Sequence, residues 1–275
     1  MKCFCQRKPK ESALDREPVV RVVVEKSSTS GFLSREVSVI SAVSCLETQS
    51  TAVYSPRSAE DPILSKARER REVLEDYILD SARRFVAGDA DSKGVQLWHF
   101  HPDKEPLVAK GHVAVEGVFD DLSLVLNCLT NVEKAKEWNT DIIEGHVIRE
   151  ILNTSQERLV HEYSAFKGRM GFPGRDFSWF SYTYWESRDV VFVLNFSSDV
   201  DDHNSSSRYV RAHAWITGYK LARTKSGISV HFVNQVDIGS KRVPDLIVNS
   251  ILKRTPERLG VFSKYIQQHL DCRNR

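Results

Sequence analysis

No apolar run in this 275-residue chain approaches the roughly 18 residues that a bilayer-spanning helix needs, so none is expected. The first residues, MKCFCQRKPK, lack an apolar h-region, and no secretory signal is expected. A cytoplasmic location follows as the expectation, and it removes any weight from the sequons at Asn153, Asn195 and Asn204. Neither sign of charge is in large excess. A net charge of +2 is too small to make nucleic acid the main partner. Cysteine is sparse and scattered (Cys3, Cys5, Cys45, Cys128, Cys272) with no C-x-x-C spacing, which reads as reduced thiols, not a zinc site. The motifs H-E-x-x-H and G-x-S-x-G are also absent. His99 and His101 share a strand face, and His161, His213 and His231 sit on three different strands, so they read as surface or satisfied core residues. Cys128, in the apolar VLNCL, reads as core. No catalytic residue, cofactor or metal is expected.

What is present divides the chain in two. Ser and Thr crowd the stretch from Ser27 to Ser58, and Pro9, Pro18 and Pro56 interrupt the first 60 residues. Residues 1–60 read as a disordered tail. Cys3 and Cys5 lie among Lys2, Arg7, Lys8 and Lys10, a setting for reversible acylation beside a basic patch that would add a membrane contact. An ordinary basic terminus is the plainer reading. The second part, 61–272, is expected to fold as one domain, monomeric, with an apolar content (41% over the whole chain) sufficient for a core.

DPILSKARERREVLEDYILDSARRFV predicts a helix from Asp61 through Val86, with Asp61 as cap and Pro62 at the first helical position. VQLWHFH (95–101) and LVAKGHVAVEG (107–117) alternate and predict a hairpin, and 119–129 and 132–138 suit two short helices. Strands follow at 142–151, 158–166, 176–185, 190–196, 209–222 and 228–236, joined by turn-rich NTSQ, ESRD, DDHNSSS and RTKSG. The last helix has one apolar stripe from Leu246 to Leu270, and Pro256 predicts a kink near Leu252. An α+β meander with helices at both ends can curl round the final helix and leave space between.

At this point the chain resembles the steroidogenic acute regulatory-related lipid transfer (START) family, over residues 65–270. EWN (137–139), GRDF (174–177), YVRA (209–212) and QVDIGSKRVPDLIVNSIL (235–252) stand in the family's order and spacing. The resemblance implies a helix-grip fold: a curved antiparallel sheet wrapped around a long C-terminal helix, with a lipid-sized cavity. Its implied partners are one lipid ligand, a sterol or a phospholipid, and a membrane surface met transiently. Phosphatidylcholine-binding members carry a basic residue three before the EWN Trp, where this chain has Ala135. Phe177 and Trp215 partly match the choline cage. Sterol-binding members keep an acid where Glu162 stands, paired with an Arg whose place is taken here by Ser181. Arg211 or His213 could supply the missing polar contact, and sterol is slightly favoured.

The strand RDFSWFSYTYW adds physical content. Phe177, Trp179, Ser181, Thr183 and Trp185 fall on one face, and Ser178, Phe180, Tyr182 and Tyr184 on the other. Directly before it, GRMGFPG (168–174) sets Met170 and Phe172 on a glycine-rich backbone at the place of the family's loop at the cavity mouth. The expected lipid contacts are therefore Glu162, Phe177, Trp179, Ser181, Arg211, His213 and Trp215. The expected gate is Met170 and Phe172 facing Leu252, Leu259 and Phe262. The main reading is a non-enzymatic carrier or sensor of one lipid. An enzyme of polyketide-cyclase type would need Glu162 and His213 as an acid–base pair, and an adaptor would have its cavity filled by Phe and Trp.

Overall fold

The computed structural model describes residues 61–88, 94–117, 119, 122–168, 171–199, 208–239 and 244–273. The expected tail, with Cys3 and Cys5, lies outside the described residues.

Helix α1 (Pro62–Leu79) begins where its cap demands: Asp61 Oδ1 accepts from the Ile63 N–H at 2.8 Å. It stops seven residues short of the expected end. Asp80 turns left-handed (φ 48°), and its carboxylate accepts from the N–H groups of Arg84 and Phe85. That local carboxylate turn competes with the helix and wins. Val86 then enters a short strand, β1 (Val86–Ala87).

β2 (Gln96–Phe100) and β3 (Val108–Glu116) form the expected hairpin, and α2 (Ser123–Thr130) and α3 (Val132–Trp138) are the expected short helices. Then follow β4 (Ile142–Asn153), β5 (Glu157–Phe166), β6 (Arg175–Ser187) and β7 (Val190–Phe196). The expected strand 209–222 is broken at Ala212 into β8 (Val210–Arg211) and β9 (His213–Arg223), followed by β10 (Gly227–Asp237). β8 leaves the meander to pair in parallel with the start of β6. All other pairs are antiparallel, in the order β1-β2-β3-β10-β9-β7-β6-β5-β4.

Alternation splits the core between the two faces of this sheet. Phe180, Tyr182, Phe192, Leu194 and Ile216 pack with α1 on one face. On the other, Val113, Val115, Val230 and Phe232 pack with α2, α3 and the C-terminal helix. That last helix is interrupted as Pro256 requires: α4 (Asp245–Arg254), a 3₁₀ turn over Thr255–Glu257, and α5 (Arg258–Arg273). Among the described residues no helix is long and apolar enough to cross a membrane.

Candidate functional site

A cavity of about 260 Å³ lies between the inner face of the sheet and the α4–α5 segment. α3 closes one side with Ala135, Trp138 and Asn139, and the final helix closes another with Ile251, Leu252 and Leu259. Trp138 is fixed from behind. Its Nε1 donates to the Cys128 carbonyl at 2.9 Å, and its ring meets Phe262 at 4.9 Å.

The floor is the sheet, and strand register sets its chemistry. Ser181 of β6 lies opposite Asn195 of β7, Asn195 opposite Thr217 of β9, and Thr217 opposite Asn234 of β10. All four line the cavity, so one polar row crosses four strands. Val193, Tyr219 and Phe232 form an apolar row on one side of it, while Phe177, Trp179 and Val236 cover the other. Among the described residues, three buried side-chain atoms of this lining have no hydrogen-bond partner: Trp179 Nε1, Asn195 Oδ1 and Asn234 Nδ2.

Glu162 lines the cavity beside Trp179, its cross-strand neighbour. Burial pushes its carboxyl up to about 7, with Arg158 opposing that only in part. Two cations also reach the cavity, and both are held by protein acceptors. Arg258 Nη2 donates to Asp141 Oδ2 at 2.5 Å, while Arg175 donates through Nε to the Ile238 carbonyl at 3.1 Å and through Nη1 to that of Pro173.

Of the residues expected to meet ligand, Glu162, Phe177, Trp179 and Ser181 are brought together here, with Leu252 and Leu259. Arg211 and His213 are not. They turn to a separate polar hollow with Ser178, Ser197, Asp199 and Asp237. Bidentate pairing with Asp176 holds Arg211. A bulge in β9 opposite Gln235 and Val236 shifts the alternation between Ala214 and Ile216, so His213 and Trp215 do not share the inward face of Thr217 and Tyr219. Trp215 is absent from the lining, and its ring lies 6.3 Å from that of His213. Glu162 and His213 therefore do not converge as an acid–base pair.

In the expected gate, Phe262 is fully buried behind the wall against Trp138 and Tyr219, and Phe172 is half-buried outside the lining. Met170 lies outside the described residues. Among the described residues of this loop, glycine serves close approach. A Cβ on Gly168 would meet the Phe172 carbonyl oxygen at 2.1 Å, and one on Gly174 would meet that of Phe166 at 2.5 Å.

Sequence reasoning missed Asn195, Thr217 and Asn234. The signal was present: alternation from Val191 and Val193 sets Asn195 on the inward face, and alternation from Val230 and Phe232 does the same for Asn234. Among the described residues, no group of three or more His, Cys, Asp and Glu side chains is placed to hold a metal ion.

Comparison with known structures finds the same architecture. Human StAR-related lipid transfer protein 5 is similar over 77% of this chain and 98% of its own, at 16% identity and TM-score 0.65. Human STARD10 is similar over 74% and 83%, at 17% identity and TM-score 0.58. The lipid transfer and protein localization domain of human StarD13 is similar over 75% and 98%, at 15% identity and TM-score 0.55. No curated protein sequence matches the chain. The START domain family model matches residues 110–269, more than half of the sequence and every residue of the cavity's lining, and by that match the chain belongs to the START domain family of lipid-binding and lipid-transfer proteins.

Proposed function

We propose that this protein carries or senses one neutral lipid, a sterol-like molecule in preference to a phospholipid, without transforming it. The observation that carries this reading is the setting of Glu162. A carboxyl pushed up to about 7 by burial is about half protonated at neutral pH and mostly protonated below it, and in that form it can donate a hydrogen bond to an uncharged oxygen. A phosphodiester wants a cation instead. Ala135 stands where a basic residue would be needed, and Arg175 and Arg258 already serve protein acceptors. Volume supports the same choice. About 260 Å³ lies just under the roughly 300–1,000 Å³ of drug-sized sites and suits a compact ring system better than two acyl chains. Burial of ligand carbon supplies the affinity, at about 0.8 kcal/mol per CH₂.

The open volume is an observation against the adaptor, and the separation of Glu162 from His213 is one against the cyclase. Native mass spectrometry of the full chain, incubated with phosphatidylcholine vesicles containing cholesterol, tests the proposal. A bound mass equal to the sterol is expected. A bound phospholipid, with cholesterol left behind, would overturn it.

A further inference from the structure

The polar row Ser181–Asn195–Thr217–Asn234 carries a requirement that Glu162 does not. Asn195 and Asn234 stand two strands apart, about 10 Å at the backbone. Asn195 Oδ1 and Asn234 Nδ2 both lack a protein partner, and the cavity is the unfilled space that both residues adjoin. A buried amide left unpaired costs free energy, whereas a folded chain could fill the same inward positions with Val or Leu. A single hydroxyl would have to span two strands to serve both amides, while a hydrogen bond reaches only about 3 Å between heavy atoms. The atoms also differ in kind. Amide oxygen accepts and amide nitrogen donates, so the matching ligand offers both a donor and an acceptor, and no formal charge is called for.

We propose that the row selects a neutral lipid bearing two hydrogen-bonding groups set apart along a rigid apolar body, with Asn195 and Asn234 as the specificity-determining contacts and Thr217 between them. This rests on the neutral-lipid reading above and narrows it: a lipid with a single hydroxyl satisfies only part of the site. The apolar rows beside it, Val193–Tyr219–Phe232 and Phe177–Trp179–Val236, hold the faces of the ring system and exclude water from the amides.

The test uses the full chain and two probes delivered from phosphatidylcholine vesicles. One is androstenediol, a steroid with a hydroxyl at each end of its four-ring nucleus; the other is the androstenol that lacks one of them. The diol should bind at least about tenfold more tightly, the discrimination expected of a buried polar group left unpaired by the mono-ol. In Asn195→Leu/Asn234→Leu that ratio should fall to about one, while the thermal midpoint of the empty protein stays equal or rises. A structural role for the amides would instead lower the midpoint and leave the ratio intact, which overturns the proposal. Should the double variant fail to fold, the wild-type ratio decides alone. Equal binding of diol and mono-ol by the wild type sinks this inference and leaves the neutral-lipid reading standing. Binding of neither steroid, with or without phospholipid uptake, sinks both.

Discussion

Arg211 grips Asp176 with both ends of its guanidinium, Nε to Oδ1 at 3.1 Å and Nη2 to Oδ2 at 3.2 Å, across the parallel pairing of β8 with β6. Asp176 is fully buried. Next to it, the Ala212 N–H donates to the Asp176 carbonyl at 2.9 Å. Arg211 thus ties β8 to the start of β6, just past Gly174, and is a structural residue, not a cavity one. Removing Asp176 leaves Arg211, 30% exposed, without its carboxylate. Asp176→Ala should cost about 1–3 kcal/mol, and Asp176→Asn, which keeps acceptor and shape, should cost less. Chemical denaturation measures this, and the lipid bound by the folded fraction should be unchanged. A fully stable Asp176→Ala that takes up a different lipid would contradict the assignment.

Glu162 makes stability depend on pH in an unusual direction. Its folded carboxyl titrates near 7 and its unfolded one near 4.5. Between those values the folded protein holds a proton that the unfolded chain releases, so stability falls as pH rises through this window and levels off above it. The full effect is at most about 3 kcal/mol. Glu162→Gln should flatten the thermal midpoint between pH 5 and 8 and raise it at the upper end, relative to wild type. Retention of a neutral lipid should weaken above pH 7 in wild type, as the donor is lost, and stay level in the variant. Parallel pH profiles of the two proteins would expose a carboxyl that does not face the cavity.

Much of this was legible in the sequence, because the deciding features are periodic or covalent. The alternation of RDFSWFSYTYW separates Trp179 and Ser181 from Phe180 and Tyr182, and the structure places those pairs on opposite faces. Pro256 foretells the interruption of the last helix for the same local reason. What escaped depends on contacts distant in sequence. The Asp80 turn that stops α1 is reinforced by Lys110 from β3, and nothing near Leu79 announces that. The break at Ala212 follows from pairing with β6, 35 residues away, which no count along YVRAHAW contains. Asn195 was legible as inward-facing, but its unpaired state emerges only when Ser181 and Thr217 stand beside it without bonding it.

Lys110 should act as a long-range helix cap. It is 6% exposed, with Nζ 3.0 Å from the Tyr77 carbonyl and 4.1 Å from the centre of the Phe85 ring. The carbonyls at the end of α1 lack helical partners, and a cation there meets both that need and the helix dipole. Lys110→Met keeps the apolar stem and removes the charge. It should cost about 2–3 kcal/mol and raise hydrogen exchange selectively in the last turn of α1. A variant as stable as wild type, with unchanged exchange there, would show that the ammonium contributes only its stem.

The way into the cavity is expected at α4, not at α5. Leu259, Phe262, Tyr265 and Ile266 bury α5 in the core, whereas α4 buries only Leu252 and leaves Leu246 83% exposed. Between them the Thr255–Glu257 turn supplies a hinge. Its seat is Gly111 of β3, where a Cβ would come within 2.7 Å of Pro256 Cβ. Regions with few buried apolar contacts open at the lowest free energy, so α4 should swing about that seat and uncover Ile251 and Leu252 at a membrane. Hydrogen exchange should be faster through Leu246–Lys253 than through Leu259–Ile266. A disulfide between cysteines at Leu107 and Leu252, which share one packed cluster, should pin α4 in a background cleared of native thiols. Once the crosslink is confirmed by mass, lipid exchange between vesicles should stop under oxidation and resume on reduction. Unimpaired exchange through a formed crosslink would rule out α4 as the lip and point to the 168–174 loop alone.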